Sequence, residues 1–302
     1  MRPQYPWTKP ISKDADNVGF FSIGSVEEKI PFVLYPFLSS SDVFLCVYKN
    51  YDYPEDLSDD VMDEIKSLLH TENMKGVVFD IKVHDWTNTQ HLRHSRNLSR
   101  SLQDICSDLA INSSAILSNG GQLIGNAVGF FYERMEAREV LRGAGPLDLT
   151  KFALEIGADI LLMTKRARQR IEAKKWLRDK IINGELSDAA EEILSQASSC
   201  FASTERIKIF SPKKGYVHHL AMNEIHSLKS ELASAHPGSG FSLRKKTGDW
   251  IEIGDDIVEV YLPEGQNNPL EEEAYKKAFV ISTDPPNHQP LILEKLELRL
   301  HS

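Results

Sequence analysis

Hydrophobic residues are distributed in two different ways along the chain, and the pattern changes near Thr204. Residues 76–83 form a nearly continuous apolar run, which is typical of a strand that is covered on both faces. Helical spacing of apolar residues follows over 97–109, and a second short strand is predicted over 114–117. This alternation of strand, helix and strand favours a largely parallel sheet with packed helices.

The rest of the chain is predicted to be helical over 126–203 and to form short alternating strands afterwards, with one short helix at 273–277. The predicted short strands are 207–210, 216–217, 250–253, 257–261 and 278–282. A turn at 254–256 separates two of these strands in the manner of a hairpin. We therefore divide the chain into three parts, an N-terminal segment (1–69), an α/β domain (70–203) and a C-terminal β-rich module (204–302).

Acidic residues outnumber basic residues by 44 to 35, which gives the chain a formal charge of −9. Nucleic acids and anionic membrane surfaces attract basic proteins, so neither is expected as a partner. The basic stretch 165–180 is expected to be a solvated helix face, since Glu172 and Asp179 lie within it. No apolar run approaches the roughly 18 residues of a membrane span, and residues 1–10 do not resemble a secretion signal. We expect a soluble cytoplasmic protein.

Four motifs occur in one order along the chain. Residues 80–86 read DIKVHDW, residues 122–137 read QLIGNAVGFFYERMEA, residues 211–217 read SPKKGYV, and residues 246–257 read KTGDWIEIGDDI. Together they resemble the thymidine and pyrimidine-nucleoside phosphorylases, whose strand motif is D-V-K-x-G-x-G-A-F. The resemblance extends over most of residues 70–295. It implies a mixed α/β sheet with packed helices, followed by a small half-barrel module of the α/β hammerhead type.

The resemblance also implies where the pyrimidine base would bind. In the family an Arg, together with a Ser and a Lys of an S-I-x-x-K-K helix, donates hydrogen bonds to the ring. Counting back from Asp80 places Glu64 at the Ser and Leu68 at the Lys, and neither side chain can replace those donors. Lys49 falls near the position of the family's Arg. A lysine there keeps the positive charge but lacks the two-pronged hydrogen-bonding geometry of a guanidinium. A shifted count would bring Lys66 to the Lys position instead.

Other parts of the family site are altered or absent. The phosphate-binding motif K-H-S-x-G-G does not occur, and we expect most of the family's N-terminal helical domain to be missing. Residues 84–86 replace the glycines of the strand motif, which removes the small residues that allow close backbone approach. Glu133 matches a family glutamate that helps to hold a monovalent cation, but the glycine-rich loop that accompanies it is absent. No other cofactor is expected.

Histidines form two local groups. His84, His91 and His94 could bind a metal ion or act as acid and base, but no fourth ligand with zinc-like spacing is evident. We favour polar histidines in and after a loop. His218 and His219 follow the start of a strand and are expected at the surface. The three cysteines form no C-x-x-C pair, so neither a disulfide framework nor a structural zinc site is expected.

Two functions remain open on this basis. The first is a degenerate phosphorylase homologue that has lost phosphorolysis and acts as a binding or assembly protein, with no catalytic residue retained. The alternative is an active pyrimidine-nucleoside phosphorylase. A pyrimidine nucleoside or base is the expected ligand in either case. We favour the first function because several charge-stabilising groups are missing together, and each typically contributes about 10² to 10³ in rate.

Apolar stretches at 30–38 and 44–48 lack the helices that would adjoin them in the family. We therefore expect this surface to be covered by a second copy in a homodimer or by a partner protein. An alternative is that the N-terminal arm, residues 1–24, folds over it.

Overall fold

The computed structural model describes residues 18–23, 29–34, 37, 44–49, 59–71, 74–84, 87–195, 204–236, 238–287 and 290–301. The strands in chain order are β1 (Val18–Ile23), β2 (Phe44–Lys49), β3 (Gly76–Val83), β4 (Asn112–Asn119), β5 (Ala127–Val128), β6 (Thr204–Phe210), β7 (Gly215–Leu220), β8 (Gly240–Leu243), β9 (Trp250–Ile251), β10 (Asp256–Pro263), β11 (Phe279–Ser282) and β12 (Ile292–Lys295). The helices are α1 (Lys29–Leu34), α2 (Asp59–Thr71), α3 (Thr89–Asp108), α4 (Phe130–Leu141), α5 (Leu147–Met163), α6 (Arg170–Ile182), α7 (Ser187–Ser195), α8 (Met222–Ala235) and α9 (Glu272–Lys276).

The largest sheet has five strands in the order β12-β4-β3-β1-β2. Strands β1 to β4 are parallel, and β12 runs antiparallel to β4 at one edge. Each residue of β3 is buried, as expected for a central strand with both faces covered. The predicted strand 76–83 and the mixed α/β sheet with packed helices are therefore confirmed.

Alternation of side chains along the strands creates two separate cores. Phe20 and Val78, which are register partners, join a core that includes α1 and α5. The next pair, Phe21 and Phe79, points to the opposite face and joins a core that includes α2 and α3. Their ring centroids are 5.6 Å apart.

Helix α3 begins earlier than the predicted residue 97. The side chain of Asn88 caps its first turn by accepting a hydrogen bond from the backbone N–H of Gln90 at 2.9 Å. The first turns carry exposed polar residues such as Gln90 and Arg93, so their apolar periodicity is weak. The prediction was wrong here because the cap, and not the hydrophobic pattern, sets the start of the helix.

The C-terminal part forms two antiparallel sheets, β5-β8-β10-β6 and β11-β7-β9, which share an apolar core with α8 and α9. Helix α8 lies in a stretch for which the sequence pattern predicted neither a helix nor a strand. Strands β9 and β10 do not form the expected hairpin, because they pair in different sheets. The hammerhead-like description of this module stays a prediction.

Strands cross between the two parts of the chain in both directions. Strand β5 leaves the α/β part and pairs with β8, and β12 returns to pair with β4. The returning segment is also fixed by side chains: Gln103 Nε2 donates to the carbonyl of Glu297 at 2.8 Å, and Arg299 pairs with Asp104 at 2.6 Å. The division of the chain at residue 204 stays a prediction.

The apolar residues of α1 are buried within the chain itself. The covering of 30–38 and 44–48 by a second molecule stays a prediction. Ile30, Phe32 and Val33 join the core formed with α4 and α5. The buried guanidinium of Arg134 on α4 lies 4.6 Å from the ring centroid of Phe32 and so adds a cation–π contact between the two helices. The N-terminal arm up to residue 17 lies outside the described residues.

Within the described parts of the chain, no helix combines the length and the apolar character that crossing a membrane requires.

We expect Gly129→Ala to destabilise the junction where β5 leaves the α/β part. Gly129 has φ +112°, and a Cβ there would lie 2.8 Å from the Cα of Gly240 and from the carbonyl of Ser239. Backbone strain and overpacking together predict a loss of about 3 kcal/mol or more in the free energy of unfolding, measured with urea. Gly248→Ala is the matched control, because Gly248 has φ +96° and open space around it. Equal losses in the two variants would contradict close packing at this junction.

Candidate functional site

Four buried polar side chains meet near the carboxyl ends of the parallel strands. Asp80 and Lys82 lie on β3, Ser22 on β1 and Ser118 on β4, and each side chain is at most 5% exposed. Asp80 and Lys82 are two residues apart and therefore share the face of the sheet that includes Val78. In open α/β sheets ligands usually bind just beyond the carboxyl ends of the strands. We therefore take the cluster as the candidate site.

The Asp80 carboxylate has partners on three sides. Lys82 Nζ lies 3.2 Å from Oδ2, Ser22 Oγ donates to the same oxygen at 3.3 Å, and Ser118 Oγ donates to Oδ1. Lys82 Nζ also lies 5.0 Å from the ring centroid of Phe152 on α5. The opposite charges of Asp80 and Lys82 balance each other inside the protein. The two serine hydrogen bonds also make this one carboxylate a link between β1, β3 and β4.

The turns that follow β3 and β4 pack tightly against each other. A Cβ at Gly120 would lie 2.8 Å from Nδ1 of His84, and the N–H of Gly121 donates to Asn119 Oδ1 at 2.9 Å. These glycines therefore make room for the histidine ring in a turn after a strand. Asp85 and Trp86 lie outside the described residues.

His91 and His94 lie three residues apart in the first half of α3, while His84 lies in the turn after β3. In the portion of the chain that is described, no three His, Cys, Asp or Glu side chains come together in a way that could hold a metal ion. The structure therefore offers no support for a metal site built from these histidines.

The predicted base-binding positions lie on α2, which is helical as expected. Positions 64 and 68 are one turn apart on the same side of the helix. Lys66 is exposed and its ammonium lies 3.9 Å from Asp63, so it is a surface residue. Lys49 is the last residue of β2 and is in register with Ile23. The side chains of Lys49, Glu64 and Leu68 lie outside the described part of the structure.

Glu133 lies in the first turn of α4 and is buried. Its Oε1 accepts a hydrogen bond from the backbone N–H of Gly129 at 3.0 Å and lies 2.8 Å from the ammonium of Lys229 on α8. The lysine supplies a positive charge beside the carboxylate. The role of Glu133 in holding a monovalent cation stays a prediction.

The segment between β4 and α4 is fixed by charged side chains that the sequence did not single out. Glu136 Oε1 accepts from the N–H of Asn126 at 2.7 Å and of Ala127 at 3.1 Å. Buried Lys29 lies 3.0 Å from Glu136 Oε2 and donates to the carbonyl of Ile124 at 2.6 Å. This network holds the G-N-A-V stretch against α1.

A second contact joins two of the motifs. Asp148 Oδ2 accepts from the N–H of Gly125 at 3.1 Å and pairs with the ammonium of Lys246. Burial alone would raise the pKa of Asp148, but the Lys246 charge and the backbone N–H groups of Gly125 and Leu149 hold it below its usual value. Gly125 and Lys246 lie within stretches that resemble family motifs, which was the available signal for this contact.

Comparison with known proteins finds several pyrimidine-nucleoside phosphorylases that are similar to this chain. A pyrimidine-nucleoside phosphorylase of Staphylococcus epidermidis is 25% identical over 239 residues, covering 73% of this chain and 54% of the relative. The enzymes of the same name from Staphylococcus haemolyticus and Staphylococcus aureus are 25% identical over 204 residues, covering 62% of this chain and 47% of each relative. The chain is a distant relative of these phosphorylases. No protein-family model matches it.

This phosphorylase relative spans about half the length of the curated proteins that it matches. The resemblance stated from the motifs is thus confirmed as a distant relationship. The name pyrimidine-nucleoside phosphorylase states the activity of those relatives.

We expect Asp80→Ala to cost about 3–5 kcal/mol in the free energy of unfolding, because it leaves the buried Lys82 ammonium without its counter-charge. The double variant Asp80→Ala, Lys82→Met should recover part of this loss. Asp63→Ala removes an exposed pair with Lys66 and should change stability by less than about 1 kcal/mol. Urea unfolding of the four proteins measures the differences, and a loss below 1 kcal/mol for Asp80→Ala would contradict a tightly paired buried cluster.

The Asp148 contact predicts a pH-dependent stability. Because its pKa is lower in the folded protein than the unfolded value of about 3.9, the carboxylate stabilises the fold above that pH. This contribution is lost as the pH falls through the folded-state pKa. The stability difference between the wild type and Asp148→Asn should therefore be largest near pH 7 and shrink below about pH 4. Asp284→Asn, at an exposed position, is the control; a difference that stays constant from pH 7 to pH 3 would refute the assignment.

Proposed function

We propose that this chain is a cytoplasmic, phosphorylase-derived protein that does not carry out phosphorolysis and acts as a binding or assembly protein. The observation that carries the proposal is the pair of residues on α2, Glu64 and Leu68, at positions where the resemblance implies a Ser and a Lys. A carboxylate and an aliphatic side chain cannot donate hydrogen bonds to a pyrimidine ring. The base would therefore lose two of its donors.

The position of Lys66 supports the count from Asp80 that places Glu64 at the family's Ser and Leu68 at its Lys. Residues two apart on a helix point about 200° apart, so Lys66 and position 68 cannot serve the same ligand. Ile65 and Leu69 are fully buried against the sheet, whereas Lys66 is exposed beside Asp63. This surface location argues against Lys66 as a replacement for the family lysine.

The charged cluster near the carboxyl ends of the strands also supports a loss of phosphorolysis. Asp80 and Lys82 are buried and satisfy each other, together with Ser22 and Ser118. Freeing either charge for a substrate would break a buried pair, which typically costs about 3–5 kcal/mol. The cluster is suited to holding three strands together, and we give it no catalytic role.

The relationship to phosphorylases favours a pyrimidine nucleoside or base as the ligand that binds weakly near these strand ends. Lys49 and Glu133 are the remnants that we assign to base binding and to a monovalent cation. A second copy of the chain or a partner protein is the proposed assembly partner. An active pyrimidine-nucleoside phosphorylase is the second candidate, and the names of the curated relatives are the observation in its favour.

We expect no phosphate-dependent release of base from thymidine, uridine or deoxyuridine by the purified full chain. The assay follows free thymine or uracil by chromatography, with protein prepared from a host that lacks its own pyrimidine phosphorylases. Phosphate-dependent base release that copurifies with the chain would overturn the proposal in favour of the active enzyme.

The base-binding part of the proposal is tested by restoring the donors. The double variant Glu64→Ser, Leu68→Lys should bind uracil or thymine about 10- to 100-fold more tightly than the wild type, because each regained hydrogen bond contributes roughly 0.5–3 kcal/mol. Asp63→Ser, Ser67→Lys makes similar changes one residue away at exposed positions and should leave binding unchanged. Equal affinities in the two double variants, measured by calorimetry, would show that α2 does not face the base.

A further inference from the structure

His218 and His219 lie on β7 at an irregularity in its pairing with β11. Val217 is in register with Ile281 and His219 with Val280, so His218 is an extra residue with no partner on β11. Adjacent residues of a regular strand point to opposite faces. A β-bulge of this kind changes the direction of one side chain, and here it brings both imidazoles together.

The two rings approach through the same atom. Their Nδ1 atoms are 3.3 Å apart, the ring centroids are 5.6 Å apart, and both residues are exposed. A separation of 3.3 Å lies within hydrogen-bond reach of two ring nitrogens, and the tautomers decide which ring donates. One Nδ1–H donating to the other Nδ1 accounts for this contact in one tautomer. When both rings carry their proton on Nε2, the two Nδ1 lone pairs are available to a shared ligand.

The separation fits a shared metal ion well. A metal bound at the usual 2.0–2.1 Å from each nitrogen, with the nitrogens 3.3 Å apart, would subtend an N–metal–N angle of about 104–111°. That range includes the tetrahedral angle that zinc prefers. The distance between the two nitrogens therefore already matches that of two ligands of one ion.

We propose that His218 and His219 together chelate a divalent transition-metal ion through their two Nδ1 atoms. The ligand class is zinc, nickel or copper, for which imidazole is a suitable donor. Magnesium and calcium are excluded, because they require oxygen ligands. Across the described residues no third His, Cys, Asp or Glu side chain completes the site, so water or a donor from a second molecule fills the remaining positions.

The histidine pair is separate from the candidate base-binding positions. The residues lie on a C-terminal sheet, whereas the candidate base-binding positions lie on α2.

The experiment is a titration of the full chain, with any affinity tag removed, with Zn²⁺ at pH 7.5 in a buffer that does not bind zinc. Calorimetry should give a site that requires both histidines, and long-range ¹H–¹⁵N spectra should show shifts of Nδ1 in His218 and His219. His218→Gln and His219→Gln should each weaken zinc binding by at least about tenfold, since even indirect support of a metal ligand is worth 10- to 100-fold. Mg²⁺ should produce no shift.

His70→Gln is the matched control, because His70 is also exposed but lies on α2. This variant should bind zinc like the wild type. The spectra of the wild type test the site independently of whether a variant folds. Unchanged Nδ1 shifts of His218 and His219 on saturation with Zn²⁺, or undiminished zinc affinity in folded His218→Gln and His219→Gln, would overturn the proposal.

Discussion

A single buried carboxylate, that of Asp80, lies on the central strand of the main sheet, and the arrangement of the strands around it depends on its being fully paired. Asp80 receives Ser22 from β1, Ser118 from β4 and the ammonium of Lys82 from its own strand. An unpaired charge in this position would be costly, so the three strands must keep their present register. The same requirement explains why charged residues can occur in a strand whose every residue is buried.

The rest of the molecule is connected to this sheet by exchanged strands and by a few ion pairs. Strand β5 extends the C-terminal sheet, β12 extends the main sheet, and Asp148 pairs with Lys246 between the two. Gly129 allows the backbone to pass close to Gly240 at this junction. These contacts make the two parts of the chain structurally interdependent, even though each has its own apolar core.

A fold and a ligand-binding site tolerate substitution to different extents. A fold persists at low sequence identity because glycines, apolar runs and a few ion pairs are enough to maintain it. Ligand chemistry is less tolerant, because in the function proposed above Glu64 and Leu68 replace a Ser and a Lys, and each replacement removes a hydrogen-bond donor. Under this proposal the chain keeps the scaffold of its distant relatives and loses the reaction.

The sequence by itself determined the central strand 76–83, the α/β character of the first part, the change to short strands after residue 204, and the distant family. These features depend on local apolar periodicity and on motif order, which are written directly in the chain. Only the tertiary structure decided the start of α3, the presence of α8, the separation of β9 from β10 and the return of β12 to the main sheet. It also decided the pairing of Asp148 with Lys246 and the approach of His218 to His219. Strand exchange and a β-bulge depend on pairing between residues far apart in the sequence, and local periodicity carries no information about such contacts. The cap at Asn88 is local, but it is a polar contact and leaves no apolar pattern.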